Sequence, residues 1–521
     1  MKAHIVGGGF GGLAAAAYLI RNAGVSGEDV TIYEANAQVG GAFSLGGNAR
    51  SGYILPSSSL FDAEFRCTFD LLETIPSASD PSISVKKEFF AFNESHPFHD
   101  RAHIIDRKGN IIAHAPRFGL SLCDGLALLR LSLTPEAMLD GRRIKEFFSP
   151  QFFSTEFWVL FSTIMGSLRQ HSAMEFRRYM YRTLALFPEL YDMAHILRTP
   201  LDQYEALIKP MIAWLRPRGV NFRTSTFVRD IGLAPSRDRI TVNRLDYHGA
   251  GTATEVAVGR KDIVLVTLGS QAGDLSIGGM DAAPRPRSNG QSWALWRRLA
   301  QQRTAFGNPD LFFGAAAVPN SRWVTFTITT KGTDFIDRMT ALTGSAPGSG
   351  GLVTLRDSGW LVSLSIFHQP EVIGQPRGAY LCWGYGLHPE RNGDFVAKRM
   401  DECTGREILT EVLRQLRFDP DAIVASSKCI PCSLPYANNI WMPRRRADRP
   451  HPVPTGATNL GLIGQYVEVP QDIAFTIEYS ARTAWEAIHL LLKRGPPPPP
   501  VYQGQCDPKA LLAVLKVFLG D

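Results

Sequence analysis

The sequence has 521 residues, far more than the roughly 100–150 of a usual single domain, so two or three domains around a large core are expected. Hydrophobic residues make up 45% and charged residues 20%, which excludes a disordered chain, a coiled coil and a small disulfide scaffold. The net charge of +6 is too mild over this length to indicate nucleic acid binding, and it favours a small or lipidic partner.

The cysteines and the N-terminus bear on the compartment. Seven cysteines are scattered along the chain without the spacing of a disulfide framework, which is typical of a reducing compartment. The first residues run directly into a glycine motif and leave no room for the apolar stretch of a signal peptide. No apolar run approaches the roughly 20 residues of a membrane-spanning helix. We therefore expect a cytoplasmic protein.

The first 45 residues predict a βαβ unit. A strand at Ala3–Val6 is followed by a glycine-rich turn, a helix from Leu13 to about Ala23 and a second strand at Val30–Tyr33. The turn, residues 7–12 (GGGFGG), matches G-x-G-x-x-G, in which glycines allow a tight turn, a close approach of pyrophosphate and close packing of helix on strand. Glu34 ends the second strand, where a carboxylate accepts hydrogen bonds from a ribose. This pattern predicts a dinucleotide-binding fold.

Three further glycine turns favour FAD over NAD as the dinucleotide. Residues 39–42 (VGGA) supply a second close-approach pair shortly after Glu34, as in flavoproteins. Two later segments, 262–269 and 459–465, read as strands that end in a glycine turn and return to the same sheet. The predicted cofactor residues are Gly7, Gly9, Gly11, Gly12, Glu34, Gly40, Gly41, Gly269, Gly464 and Gln465.

The remaining pattern predicts an α/β protein whose Rossmann-like FAD-binding domain is built from discontinuous segments. Residues 86 to about 221 are helical and aromatic, and β-branched alternation returns from Thr224 to about Ser270. We predict a β-rich substrate domain, a helical lid block and a C-terminal helical tail beside the FAD-binding domain. The predicted boundaries are 1–85 with 224–290 and 455–495 for FAD binding, 86–223 for the helical lid and substrate region, 291–454 for the substrate domain, and 496–521 for the tail.

The tail begins with five prolines at 496–500, which predict a stiff spacer. Asp507 and Pro508 suit the N-cap and first position of an apolar helix over 511–519. This helix could dock on its own domain, on a second subunit or on a membrane surface. The assembly is expected to be a monomer or a homodimer.

The chain resembles the oleate hydratase family, also called myosin-cross-reactive antigens, over nearly its whole length. The motifs that carry the resemblance are residues 171–179 (HSAMEFRRY), 202–204 (DQY), 383–387 (WGYGL), 464–468 (GQYVE) and 475–480 (FTIEYS). The resemblance implies addition of water to an isolated cis double bond of a long unsaturated fatty acid, with FAD and without net redox. It therefore implies a hydro-lyase.

The resemblance also implies an acid and a base. The tyrosine that donates a proton to the alkene in the family corresponds to Tyr179. The water-activating glutamate of the family falls on Leu60, because residues 56–62 read PSSSLFD where the family has Arg-Gly-Gly-Arg-Glu-Met-Glu. Asp62 matches a second acidic position of that run, and Glu64 would share a face with Leu60 if the segment were helical. Asp62 and Glu64 are the candidate substitutes, and an acid on a solvated face is the ordinary alternative.

The family's carboxylate-binding positions are only partly kept. Gln203 keeps the amide, but the cluster Thr-x-Asn-x-Gln-Pro-His appears as residues 365–371 (SIFHQPE), so an Asn has become Phe367 and a His has become Glu371. The predicted substrate-binding residues are Gln203, Ser365, His368 and Gln369. A carboxylate at 371 would repel an anionic headgroup, so either His368 and nearby arginines compensate or the substrate is not a simple free fatty acid.

Two other clusters are weaker candidates. Cys429 and Cys432 have C-x-x-C spacing but no second pair or histidine close by, so no metal site is expected. Arg444–Arg446 with Arg449 could face a phosphate or an anionic membrane, and a solvated loop is the simpler interpretation.

Three functions remain open from the sequence. The first is an FAD-dependent hydratase of an unsaturated fatty acid or related lipid, with Tyr179 as proton donor. The second is an FAD-dependent isomerase or desaturase of a polyene lipid, for which the loss of the glutamate at Leu60 is no handicap. The third is a lipid-binding flavoprotein without activity.

Overall fold

The computed structural model describes residues 1–98, 100–193, 195–249, 251–285, 287 and 290–519, with side chains through residue 517. Its first layer is a five-stranded parallel sheet. The strand order is Leu460–Ile463, Ile263–Thr267, Ala3–Val6, Val30–Tyr33 and Asn221–Arg223. Four of these strands come from the predicted FAD-binding segments, and the fifth ends at the predicted boundary between 223 and 224.

The parallel sheet forms because its strands are short apolar runs that are covered on both faces. Ile5 lies opposite Leu265 on one side and Ile32 on the other, and all three side chains are fully buried. The alanine-rich helix Phe10–Arg21 packs on this sheet beside Ile477–Leu492, because small side chains allow a close approach of the backbones. The two strands expected at the N-terminus are confirmed, and so is the mixed α/β class.

The second layer is a seven-stranded, largely antiparallel sheet. Its order is Ser276–Ile277, Ser427–Leu434, Trp323–Lys331, Ala379–Gly386, Val362–Ile366, Val353–Leu355 and His103–Ile105. Cys429 and Cys432 lie within the second of these strands, where burial raises the pKa of the Cys432 thiol to about 12. Within the described ranges, no group of three His, Cys, Asp or Glu side chains could hold a metal.

Three smaller sheets complete the β structure. They pair Thr252–Ala257 with Val242–Gly249 and Thr226–Leu233, Gly46–Asn48 with Gly52–Ile54, and Phe61–Asp62 with Ile196–Leu197.

Helices cover the two large sheets, and five of those in the described residues fall in the predicted segment 86–223, the first of them beginning at Val85. The helices are Phe10–Arg21, Arg66–Thr74, Val85–Ser95, Leu122–Leu133, Glu156–Met165, Ala173–Arg182, Lys209–Leu215, Gln291–Gln302, Asp310–Phe313, Asp334–Thr343, Gly405–Gln415, Pro420–Ser426, Ile477–Leu492 and Pro508–Leu519. The strand His103–Ile105 leaves the helical segment to join the large antiparallel sheet. The domain boundaries themselves stay predictions.

The C-terminal helix Pro508–Leu519 is confirmed, and it docks on the same chain. It packs against the 3-10 turns of Leu184–Glu189, and Val514 and Val517 reach the core. In the part of the chain that the structure describes, no helix combines the length and the hydropathy needed to cross a bilayer.

Candidate functional site

A cavity of about 960 Å³ lies between the two large sheets and the helix Ala173–Arg182. Its walls include the glycine turn after the first strand and Glu34 after the second. They also include Tyr179 and the loop before Asp62. The fold therefore joins the predicted cofactor site and the predicted catalytic residues in one space.

The glycine turn forms a cradle for a dinucleotide. Gly7 has φ of +103°, which L side chains rarely adopt. A Cβ on Gly12 would lie 1.9 Å from the Gly7 carbonyl oxygen, so only glycine lets the helix approach the strand. Gly9 caps the helix without a side-chain hydrogen bond, which leaves the first-turn N–H groups free for a pyrophosphate.

Glu34 stands at the ribose position. Its Oε2 accepts the Gly8 N–H at 2.8 Å, and its Oε1 accepts the backbone and side-chain N–H groups of Asn36 at 2.8 and 2.9 Å. A carboxylate has about four acceptor positions, so one remains for a ribose hydroxyl. The carboxylate is thus held in place before any ligand binds.

The remaining cofactor positions meet in the same wall. A Cβ on Gly41 would lie 3.0 Å from the Gly9 Cα, so the two glycine turns come close to each other. Every predicted cofactor residue except Gly12 lines the cavity, and Gly12 acts by packing as described above. An uncapped helix end, an oriented carboxylate and two bare backbone turns along an elongated cavity fit a dinucleotide such as FAD.

Tyr179 is buried in the cavity wall with its ring stacked on Trp441 at 4.3 Å between centroids. Its hydroxyl oxygen accepts the Phe475 N–H at 2.9 Å. Among the described residues no acceptor takes the phenolic proton. Burial, and then the neighbouring Glu175 carboxylate, raise the pKa of this phenol well above its ordinary value. Tyr179 thus keeps a proton that can be donated into the cavity.

A network of buried ion pairs anchors the helix of Tyr179. The pairs are Glu175 with Arg444 and Arg449 at 2.7 and 3.2 Å, and Glu468 with Arg178 and Arg444 at 2.7 and 2.8 Å. Although burial opposes ionisation, Arg444 and Arg178 lower the pKa of Glu468 to about 2.

This network corrects the interpretation of the basic cluster at 444–449. Arg444 and Arg449 lie neither on a solvated loop nor on a phosphate-binding surface, because each is matched by a buried glutamate from a distant segment. Arg445 and Arg446 are exposed. The sequence run gave no indication of this division.

Asp62 lines the cavity and is held from the helix of Tyr179. The Arg182 guanidinium lies 3.4 Å from Asp62 Oδ2, and Oδ1 accepts the Glu64 N–H at 2.9 Å. Burial raises the pKa of Asp62 above its usual value, with Arg182 opposing the shift. Arg182 was missed at the sequence level, although its position three residues after Tyr179 puts both on one face of the helix.

The structure corrects the expected position of Glu64. The segment 60–64 is not helical, because Phe61 and Asp62 pair with Ile196–Leu197 and the next helix begins only at Arg66. Leu60 and Asp62 line the cavity, whereas the Glu64 carboxylate points to Arg66 at 2.7 Å and takes no part in the wall.

The loop before Leu60 is fixed by alternate threonines of the strand Trp323–Lys331. The Tyr53 N–H donates to Thr329 Oγ1 at 3.0 Å, the Leu55 N–H donates to Thr327 Oγ1 at 3.1 Å, and the Thr325 hydroxyl donates to the Pro56 carbonyl at 2.9 Å. These threonines are buried. The serines 57–59 that follow are therefore presented to the cavity from an anchored backbone.

Of the predicted substrate-binding residues, only Ser365 lines the cavity. Gln203 donates to Thr199 at 3.1 Å. Gln369 is bonded to the Leu381 backbone through both ends of its amide. The His368 ring lies 4.5 Å from that of His96. Of these four side chains, Ser365 is thus the one that faces the cavity, and the role of the others in substrate binding stays a prediction.

Glu371 does not face the cavity either. It is buried, and burial followed by the nearby Asp202 carboxyl raises its pKa well above the ordinary value. Burial likewise raises the pKa of Asp202 to about 7. The expected repulsion of a headgroup by Glu371 therefore does not arise in the cavity.

Sequence comparisons with known proteins match nearly the whole chain. A family model described as the MCRA family matches residues 1–489. An oleate hydratase of Streptococcus pyogenes serotype M49 (strain NZ131) is 33% identical over 511 residues, covering 95% of this chain and 86% of the relative. A linoleate hydratase of Lactiplantibacillus plantarum is 30% identical over 533 residues, covering 92% of each chain.

Solved structures support the fold alone. A cyclohexylamine oxidase from Brevibacterium oxydans IH-35A superposes with a TM-score of 0.58 at 13% identity, covering 94% of this chain and 98% of that one. A putrescine oxidase bound to putrescine gives a TM-score of 0.54 at 11% identity, covering 93% and 97%.

Proposed function

Because the chain belongs to the MCRA family, we propose that it is an FAD-dependent hydratase that adds water to an isolated double bond of an unsaturated fatty acid or related lipid. Its curated relatives act on oleate and linoleate as hydratases, which makes it a hydro-lyase of the fatty acid hydratase type. The observation that carries the finer proposal is the shared cavity. Tyr179 and Asp62 line the same space as the dinucleotide cradle.

The chain's own backbone and side-chain groups would hold FAD in the cradle. The first-turn N–H groups after Gly9 would hold the pyrophosphate, and Glu34 would accept from the ribose. Bound there, FAD supplies shape and electrostatic stabilisation rather than a site for hydride. The aromatic and aliphatic walls beyond the cradle exclude water from the reacting double bond.

The proposed chemistry is a proton transfer at each end of the double bond. The Tyr179 hydroxyl donates its proton to one carbon, and the Phe475 N–H stabilises the phenolate that remains. Asp62 takes a proton from a water molecule, whose oxygen bonds to the other carbon. Burial raises the pKa of this carboxyl, and Arg182 opposes that shift by favouring the ionised form. Return of the proton from Asp62 to Tyr179 through water closes the cycle.

A second candidate function follows from Leu60. A leucine at the family's glutamate position removes the usual activator of water, and this favours an FAD-dependent isomerase or desaturase of a polyene lipid. Such an enzyme would need hydride exchange with the flavin, so anaerobic substrate would bleach the flavin absorbance. A lipid-binding flavoprotein without activity would retain lipid and show neither product nor bleaching.

We expect incorporation of heavy oxygen from water into a hydroxylated product. The purified holoenzyme is incubated with oleic or linoleic acid in water enriched in oxygen-18, and the products are analysed by mass spectrometry. Hydration places one labelled oxygen in each product, because the hydroxyl comes from solvent. An unlabelled or unhydroxylated product, or bleaching of the flavin, would contradict the hydratase proposal.

We also propose that the C-terminal helix contacts a lipid surface. Leu511, Leu512 and Leu515 are 43%, 57% and 56% exposed on the side away from the core, and Lys509 and Lys516 flank them. We expect the protein to sediment with anionic phospholipid vesicles, and a Leu512→Ser, Leu515→Ser double variant to lose most of this binding. Ile373→Ser, at a 60% exposed position elsewhere, is the matched control. Equal sedimentation of both variants would exclude the contact.

A further inference from the structure

A small apolar pocket, which we call the branch, adjoins the large cavity. It has an open volume of about 40 Å³ and shares Ile164, Met165, Thr183, Leu186 and Ile196 with the cavity wall. Beyond them it is lined by three phenylalanines, two further methionines and Leu190. Those side chains are Phe157, Phe161, Phe187, Met180 and Met193.

The branch begins next to the proposed proton donor. Thr183 lies at the junction of branch and cavity, one helical turn after Tyr179, and its hydroxyl donates to the Tyr179 carbonyl at 2.7 Å. Met180, the residue after Tyr179, lines only the branch. The branch is therefore the apolar space next to the phenol on this side of the cavity wall.

The lining suits hydrocarbon and not an ionised group. Among the described residues that line the branch, the ionisable ones are Glu189 and His195, and they pair with each other. His195 is 68% exposed, which puts this pair at the outer end of the branch. A carboxylate placed among the phenylalanines and methionines would lose its hydration without a partner. Methionine side chains adapt their shape to flexible apolar ligands.

We propose that this branch receives the methyl-terminal end of the acyl chain and limits the length of the tail beyond the double bond. The inference rests on the proposed hydratase function. The small open volume admits only the last few carbons of a tail, so each added methylene changes how well the substrate fits and lowers kcat/KM once the branch is full. Leu190 is the best position to test, because it lines only the branch and is half-buried, so a larger or smaller side chain leaves the core intact.

The test uses Leu190→Trp and Leu190→Ala with three cis-9 acids, myristoleic, palmitoleic and oleic. These share the segment from carboxyl to double bond and differ by two tail carbons at each step. Leu190→Trp is expected to lower kcat/KM for oleic acid about tenfold and to leave myristoleic acid within about twofold. Leu190→Ala is expected to shift preference toward the longer tails. Leu490→Trp, on an exposed site of another helix, is the matched control.

The outcomes separate this inference from the proposed function. An equal change for all three acids would overturn the tail site, even with hydration intact in the native enzyme. A second series of acids keeps the tail constant and varies the segment between carboxyl and double bond. If the effect of Leu190→Trp on kcat/KM follows the length of that segment, the headgroup and not the tail occupies the branch, and the inference is overturned. If the native enzyme hydrates none of the acids, the proposed function fails. The same length dependence is then read from binding affinity, measured by the change in flavin absorbance.

Discussion

Replacing Tyr179 by phenylalanine is expected to lower kcat for hydration by about 10²–10⁴-fold while FAD stays bound. The substitution removes one oxygen atom and keeps the ring that stacks on Trp441. The lost hydroxyl is the proton donor of the proposed reaction. The hydroxyls of Tyr385 and Tyr466, which also line the cavity, already donate to the Thr163 carbonyl and to Asn439 Oδ1. The measurement is turnover of oleic acid together with the flavin absorbance of the purified variant.

Stability must be measured beside activity, because the variant also leaves the Phe475 N–H without its acceptor. An unpaired buried donor costs about 1–3 kcal/mol, which lowers the melting temperature without unfolding a protein of this size at room temperature. The expected result is a modest loss of stability and a large loss of kcat. A variant that melts normally and turns over at the native rate would remove Tyr179 from the mechanism.

Tyr385 provides a matched control in the same cavity. Its hydroxyl already donates to the Thr163 carbonyl at 2.6 Å, and its ring is buried in the wall as that of Tyr179 is. Tyr385→Phe therefore removes a cavity hydroxyl whose proton is engaged. We expect kcat to stay within about tenfold of the native value. Equal losses in the two variants would indicate that a general change in the cavity, and not proton donation, explains the effect.

The dinucleotide cradle could be predicted from the sequence because all of its determinants are local. The turn at Gly7–Gly12, its two strands and Glu34 lie within 34 residues, and backbone sterics alone fix what each glycine does. The later glycines, Gly269 and Gly464, were placed in the same wall because each follows an apolar strand. An apolar strand followed by a glycine turn predicts the same edge of a parallel sheet in any protein with this fold.

The errors in the sequence analysis concern contacts between distant segments. The sequence analysis favoured a solvated loop for Arg444 and Arg449 because their glutamate partners are far away in the chain. Glu175 lies about 270 residues earlier, and Glu468 lies about two dozen residues after Arg444, on elements whose approach no local pattern encodes. Glu64 was a candidate because it would share a face with Leu60 if the segment around Asp62 were helical. Pairing with Ile196–Leu197, a tertiary contact, makes it a strand instead.

Tyr179 shows the limit of residue-based reasoning in the other direction. Alone, a tyrosine in the run 171–179 is best read as a core residue, and its stacking on Trp441 and full burial agree with that description. Only the resemblance to a family singled it out. In the structure its ring lines a cavity, and its hydroxyl oxygen accepts the Phe475 N–H. Both contacts involve residues far from Tyr179 in the chain, so the sequence around Tyr179 could not predict them.

Replacing Asp62 by asparagine is expected to lower kcat/KM by about 10²–10⁴-fold and to remove the acid limb of its pH profile. As a base, Asp62 is active only when ionised, so activity rises with pH through its pKa. Burial raises that pKa, which places the limb at higher pH than an ordinary aspartate would. The measurement is kcat/KM for oleic acid against pH in the native enzyme and the variant, with flavin content as a check on folding.

An Arg182→Gln variant gives a second test of Asp62 as the base, because it changes the pH at which the acid limb of kcat/KM falls. The Arg182 guanidinium opposes the effect of burial on Asp62, so Arg182→Gln removes a stabilising cation and raises the aspartate pKa further. The acid limb should then move to higher pH, while the rate at alkaline pH recovers toward the native plateau. A residue that only supports the fold would lower the plateau and leave the limb in place. If Asp62→Asn keeps both the native rate and the native acid limb, Asp62 is not the base, and another group in the cavity must take the proton from water. The hydroxyls of serines 57–59 could not be that group, because a serine hydroxyl does not ionise in the pH range of the acid limb.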